Sequence, residues 1–304
     1  MKPVLPPLPD GAAIAEPLPD ILPEMPPCGG IVGFARRYPT IAAGGVLLGL
    51  MVAVAVFAPL LGTVDPTRVT MSMRARLPSA AHWFGTDVLG RDLYSRVLYG
   101  TRVSLGIGFS VALLSSAGGL AIGLFSGFVR ALDPLLTRIM DGLMSIPSIL
   151  LAVALMALTR GSILNVIVAI TIAEIPRVAR LVRGVVLSLR EQPYVEAAVA
   201  AGSRIPRIIW RHILPNTLAP LIVQATYVCA AAMLSEAMLS FIGAGTPPVV
   251  PSWGNIMAEG RLLWQVKFFI ILFPALFLSI TVLAVNLLGD GLRDALDPRR
   301  TGDL

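Results

Sequence analysis

Residues 190–216 read REQPYVEAAVAAGSRIPRIIWRHILPN, the longest polar interruption between the later hydrophobic runs of the chain. The stretch divides into two short helices at a glycine. From Gln192 to Ala201, alanines and a valine alternate with single polar groups. Gly202 ends that helix, because glycine tolerates the left-handed turn that helix ends often need. Ser203 is placed to cap the second helix. Pro206 falls in its first turn, where a backbone N–H has no intrahelical partner. At about 100° per residue, Arg204, Arg207 and Arg211 share one stripe, with Ile205, Ile209 and Ile213 roughly opposite. Pro215 is expected to close the segment ahead of the next hydrophobic run. A basic amphipathic helix beside a membrane span lies either on anionic lipid or on a protein partner, and periodicity alone fits both.

The surrounding chain is that of a membrane protein. Its 304 residues are 56% hydrophobic and 14% charged, well below the roughly 25% charged of soluble domains. Several uncharged runs exceed the ~18 residues that mark a membrane-spanning helix. The formal charge is +6, but the basic residues flank spans rather than forming one soluble patch, which argues against nucleic acid as a partner. Cys28 and Cys229 support neither a disulfide framework nor a metal site. His82 and His212 are the only histidines, which excludes a multi-histidine centre. Neither Lys2 nor Lys267 follows a glycine, so the chain has no phosphate-binding loop of the Gly-x-x-x-x-Gly-Lys type. It has no Gly-x-Ser-x-Gly nucleophile turn either. No catalytic residue is assigned.

Taken in order, residues 1–35 read as a proline-rich disordered tail. Residues 36–101 read as a first transmembrane helix and an external loop, 102–292 as the main transmembrane domain, and 293–304 as a C-terminal tail. The first apolar run, Ile41 to Val64, is longer than the ~7–15 residues of a signal peptide's core. Arg36 and Arg37 before it place the N-terminus in the cytoplasm. Six spans are expected, at roughly 40–62, 103–129, 143–159, 162–179, 217–242 and 268–289. Both termini and residues 190–216 then lie inside. Most Lys and Arg fall on that side, although Arg68, Arg74, Arg76, Arg91, Arg96 and Arg102 in the external loop run against the rule.

Gly119, Gly123 and Gly127, and likewise Gly45 and Gly49, have the spacing of close helix contacts. Trp253 and Trp264 fit an interfacial aromatic belt. Glu236 lies within an apolar run, where an acid either faces a water-filled pathway or pairs with a neighbour. Asp87, Arg91 and Asp92 are spaced for local ion pairs.

Three motifs carry a resemblance to a known family. Glu196-Ala197-Ala198, Gly202 and Leu214-Pro215 resemble the EAA loop of importer-type ABC permeases, with His212 where that pattern has isoleucine. His212-Ile213-Leu214-Pro215-Asn216 is similar to the form typical of the dipeptide and oligopeptide branch. Gly85, Thr86, Asp87, Gly90, Arg91, Asp92, Ser95 and Arg96 resemble the signature ahead of the second span in the C-type permeases of dipeptide, oligopeptide and nickel importers. Residues 235–261, with Glu236, Gly243, Trp253 and Glu259, resemble the same family.

The resemblance implies an all-α, six-transmembrane-helix type I importer permease with a cytoplasmic coupling helix. Glu196, Ala197, Ala198, Gly202, Arg204, Arg207, Arg211, His212, Leu214 and Pro215 are then the ATPase-coupling residues. Glu236 is a candidate pathway residue, and Gly85, Asp87, Gly90, Arg91 and Asp92 form an external motif. The implied partners are a homologous B-type permease, two cytoplasmic ATPase domains that bind ATP and Mg, and an extracellular substrate-binding protein. This chain itself needs no cofactor. The setting is the bacterial cytoplasmic membrane, and the cargo is dipeptides or oligopeptides, with nickel or another small solute as the alternative. A membrane enzyme or an ATP-independent channel is the remaining class.

Overall fold

The structure, a computed structural model, describes residues 31–159 and 161–296. Residues 1–30 of the tail expected over 1–35, and the part of the C-terminal tail beyond Leu296, lie outside the described residues. Ile31–Arg37 form a short helix, α1, with Arg36 and Arg37 in its last turn. Helix therefore begins inside the segment read as tail.

From Tyr38 onward the regular structure among the described residues is helical, apart from two isolated bridges in one loop. Helix α2 (Pro39–Phe57) starts on a proline whose fixed φ suits a first turn, and it runs into a short 3-10 turn, Ala58–Leu60. The loop that follows leads to α3 (Leu93–Phe128), α4 (Asp133–Met144), α5 (Ser148–Ala157) and α6 (Ile163–Arg190). Next come α7 (Pro193–Ala200) and α8 (Ile205–Ile208), a π-helical turn at Ile209–Ile213, α9 (Leu214–Phe241), α10 (Trp253–Gly260) and α11 (Phe269–Leu296).

Among the described residues, four helical stretches are long and apolar enough to cross a membrane: Pro39–Leu60, Leu93–Phe128, Ile205–Phe241 and Phe269–Leu296. A fifth is present if α4 and α5, bent by 85°, count as one. The second span begins at Leu93 rather than 103 because Asp92 caps it: the carboxylate accepts the Ser95 N–H at 2.8 Å. Arg96 and Arg102, which suggested loop, are neutralised or bonded inside the fold, so the boundary drawn at 101/102 falls within α3.

The region expected as two spans over 143–179 is built differently. The chain breaks at Pro147, and α5 has 10 residues, about 15 Å, roughly half the ~30 Å hydrocarbon core. Helix α6 instead runs unbroken for 28 residues and carries Glu174, Arg177, Arg180, Arg183 and Arg190. All but Arg190, which donates to the Gly127 carbonyl at 3.4 Å, are in ion pairs. Arg177 meets Glu174 at 2.9 Å, Arg180 meets Asp141 at 2.6 Å, and Arg183 grips Asp133 with two bonds of 2.6 and 2.8 Å. The last two pairs tie α4 to α6.

The α3–α6 contact is a row of glycines against a row of valines. A Cβ built on Gly119, Gly123 or Gly127 would stand 2.5–2.7 Å from the Cβ of Val178, Val182 or Val186 respectively. The three valines are fully buried. Close backbone approach of this kind supplies dispersion where lipid gives helices no hydrophobic drive. In α2 the expectation fails by one residue. Gly45 and Gly49 face open space, whereas Gly44 is pressed on the backbone of Ala284 and Leu288 in α11. Val46 and Leu50 of α2, Leu113 and Phe125 of α3 and Leu283 of α11 are exposed. Such apolar outer faces suit lipid or further helices.

Candidate functional site

The segment 190–216 is a two-part helical structure. Gly202 has φ +75°. Its N–H donates to the Val199 carbonyl at 2.9 Å, and the Ser203 N–H donates to Ala198 at 3.1 Å. This paired closure satisfies the last carbonyls of α7 and needs the left-handed residue that glycine supplies. Ser203 is not the cap of the second helix: Arg204 holds the extended cap conformation, with no side-chain capping bond.

Pro215 does not end the segment either. The helix continues from Ile205 to Phe241 without a break, because the π-turn widens the ring just before the proline. The Leu214 N–H reaches back to Ile209, so the turn absorbs a residue where proline removes a donor. The extra residue also resets the buried face. Ile208, Ile213, Thr217 and Leu221 are buried and Ile205 is exposed, in place of the expected Ile205–Ile209–Ile213 stripe. Val195 of α7 is buried too, and the Tyr194 and His212 rings lie 6.1 Å apart, joining α7 to the π-turn.

What remains outward is Glu196, Ala197, Gly202, Arg204, Arg207, Arg211 and Pro215, together with Trp210, which is 74% exposed. Sequence reasoning missed Trp210, although its place between Arg207 and Arg211 on the outer stripe was readable. Ala198, His212 and Leu214 are half-buried at the root of the segment.

A second constellation gathers around Asp87. One carboxylate oxygen accepts the N–H groups of Leu89 and Arg91 at 2.8 and 2.9 Å. The other meets Arg91 Nε at 2.6 Å and Arg96 Nη1 at 2.5 Å. Both guanidiniums also contact Glu259 of α10. Two cations and two anions therefore neutralise one another beneath the surface, as buried charges require. Gly85 and Gly90 take φ +79° and +74°. A side chain at Gly90 would collide with the Thr70 carbonyl. Asp92 caps α3 and also holds His82 Nδ1 at 2.8 Å. The external-motif residues thus form one loop clamp. Arg96 and Glu259 complete it, and their role becomes visible only when α10 is brought against α3.

Glu236 has no exposed surface. Ser240 Oγ donates to its Oε1 at 2.8 Å, and the hydroxyls of Ser104, Thr246 and Ser252 lie nearby. Oε2 is buried without a hydrogen-bond partner among the described residues. From Ser240 the polar chain runs through Thr246 and Ser252 to Asn255, whose amide donates to Thr246 Oγ1 at 2.9 Å and Pro247 O at 2.9 Å. This network pins the loop between α9 and α10. Trp253 is fully buried, its indole N–H bonded to the Val97 carbonyl at 3.1 Å, and so is not part of an interfacial belt. Trp264 is exposed. No cluster of three or more His, Cys, Asp or Glu with metal-binding geometry occurs among the described residues.

Long apolar helices, one of them continuous at its root with an exposed polar segment, define a multi-span helical membrane protein. The chain belongs to the family described as the binding-protein-dependent transport system inner membrane component, which matches residues 119–302. It is a transport permease subunit. It is 52% identical over 269 residues to the probable peptide ABC transporter permease protein y4tQ of Sinorhizobium fredii, covering 88% of this chain and 92% of that one. It is 43% identical over 257 residues to the dipeptide transport system permease protein DppC of Alkalihalophilus pseudofirmus, covering 84% of each. The fold is shared with a solved inward-facing structure of the MetNI methionine ABC transporter, with TM-score 0.55, 24% identity, and coverage of 66% of this chain and 96% of that chain.

Proposed function

We propose that this chain is one permease half of an ATP-driven importer of dipeptides or oligopeptides in the bacterial cytoplasmic membrane. It works with a homologous permease, two cytoplasmic ATPase domains and an external binding protein. The carrying observation is the construction of residues 190–216. The left-handed closure at Gly202 fixes α7 against α8, and α8 runs without interruption through the π-turn into α9. A push on the exposed face of Glu196, Arg204, Arg207, Trp210 and Arg211 is thereby transmitted to a membrane span. The relatives named for peptide transport support the cargo.

In this reading α4–α5 is the bent third crossing and α6, 28 residues or about 42 Å long, is the fourth of six. Both termini are cytoplasmic, and residues 63–92 face outward. The test is uptake of radiolabelled dipeptides by the complete transporter in proteoliposomes, with binding protein outside and ATP inside. Uptake that requires both supports the reading. Peptide uptake independent of ATP contradicts it.

A further inference from the structure

Helices α6, α9 and α11 leave a cavity of about 470 Å³ between them. Its apolar walls are Leu181 of α6, Pro220 and Val223 of α9 and Leu296 of α11. Three polar side chains complete the lining: Gln224 and Tyr227 of α9 and Arg293 of α11. Apolar walls with a few convergent polar groups, in this size range, are the usual make-up of a small-molecule site. Among the described residues no carboxylate lines the cavity, and Arg293 forms no ion pair.

The bonds already made inside the cavity set what a ligand must bring. The Tyr227 hydroxyl donates to Asp290 Oδ1 at 2.5 Å, so it offers the cavity only lone pairs. The Arg293 guanidinium approaches the same hydroxyl, but its five N–H groups leave donors to spare. Gln224 brings one acceptor and two donors. One cation, two acceptors and an amide between apolar walls complement a molecule with a carboxylate, N–H donors and apolar side chains. That is the chemistry of the end of a short peptide. The dipole of α11 favours a cation in its last turn, but gives no reason for Arg293 to share a wall with Gln224 and Tyr227.

The cavity is also joined to the segment 190–216. Pro220 stands nine residues beyond Arg211 on one uninterrupted helical stretch, about 13 Å along its axis. Any displacement of that stretch moves Pro220, Val223, Gln224 and Tyr227 against Leu181 and Arg293, which belong to other helices.

We infer that this cavity holds the carboxylate end of a transported peptide at the cytoplasmic end of the spans, with Arg293 recognising the charge. The inference rests on the reading of the chain as a peptide-importer permease with residues 190–216 inside. An ethanolamine phospholipid shares the chemistry, an anion beside N–H donors, and lipid composition separates the two sources.

The test uses the complete transporter in nanodiscs of phosphatidylcholine, with the binding protein withheld so that its own preferences do not enter. The probe is a dipeptide ending in a diazirine analogue of leucine, cross-linked by light and mapped by mass spectrometry. Labels are expected within residues 219–227 and 293–296. Unlabelled dipeptide is expected to suppress them at a concentration at least ~10-fold lower than its C-terminal amide does, since a charged hydrogen bond is lost in the amide. Arg293→Gln is expected to abolish that difference and Arg293→Lys to keep most of it. Equal suppression by acid and amide in the wild type, or labels confined to other residues, overturns the inference and leaves the permease reading intact. The wild-type comparison decides this even where a variant fails to assemble. Labelling that phosphatidylethanolamine in the discs suppresses as fully as unlabelled dipeptide assigns the cavity to lipid and also overturns it. Peptide uptake independent of ATP contradicts the permease reading instead, and removes the ground for this site.

Discussion

Gly123 lies so close to Val182 that a Cβ on the glycine would stand 2.6 Å from the valine's own Cβ. A β-branched neighbour has no far end to swing aside, so the added methyl must push α3 from α6. Gly123→Ala is expected to cost about 1–3 kcal/mol by overpacking. Val182→Ala clears only the Cγ1 contact and leaves the Cβ at 2.6 Å and the Ala179 carbonyl at 2.8 Å, so the double variant should recover only a small part of that loss. Thermal unfolding of the purified transporter reads both. A Gly123→Ala variant as stable as wild type would show that the helices have room to part.

The charge clamp predicts an asymmetry. Asp87→Asn leaves the guanidiniums of Arg91 and Arg96 facing Glu259 alone, and breaking a buried pair costs about 3–5 kcal/mol. Glu259 has a side chain 18% exposed, and its removal leaves Asp87 between both arginines. Glu259→Gln is therefore expected to lower the thermal midpoint less than Asp87→Asn does. The reverse order would contradict the placement of Asp87 at the hub.

Two roles for Glu236 are separated by Glu236→Gln and Glu236→Leu. The full burial of the carboxylate and its Ser240 bond predict that Gln supports normal recovery and uptake, whereas Leu lowers recovery by stranding buried hydroxyls. Lost uptake with normal recovery in Glu236→Gln would instead assign the residue to the pathway.

Orientation is read by single cysteines in a background with Cys28 and Cys229 replaced by alanine. Ser79→Cys, exposed in the loop between α2 and α3, is expected to react with an impermeant maleimide in intact cells. Ala200→Cys, exposed in α7, is expected to react only after the membrane is opened. Labelling of Ala200→Cys from outside would invert the topology.

What the sequence made legible was local. The Gly202 turn follows from backbone sterics at one residue, and the glycine row of α3 follows from helical spacing. What it hid depended on distant partners or on a change of period. Arg91 and Glu259 lie 168 residues apart, so spacing revealed the Asp87–Arg91 pair but not the quartet. The π-turn ahead of Pro215 shifts the buried stripe to Ile208 and Ile213, a register that a uniform angle per residue cannot give. The charges of α6 looked like the end of a span because their partners, Asp133 and Asp141, belong to another helix.

The central claim, that residues 190–216 couple ATP hydrolysis to the spans, is tested most directly at Gly202. Open space surrounds the position where its Cβ would be, so a substitution acts through the backbone alone. Gly202→Val forces a β-branched residue to φ +75°, costing at least ~1–2 kcal/mol and misaligning α7 with α8. The measurement is ATPase-subunit retention and substrate-stimulated hydrolysis in the reconstituted transporter, for Gly202→Val and for Glu196→Lys, which reverses charge on the same exposed face. Both variants are expected to insert normally and to lose either the ATPase subunits or the link between hydrolysis and uptake. Wild-type stimulation and uptake in both would contradict the account and leave the segment as a basic helix resting on lipid.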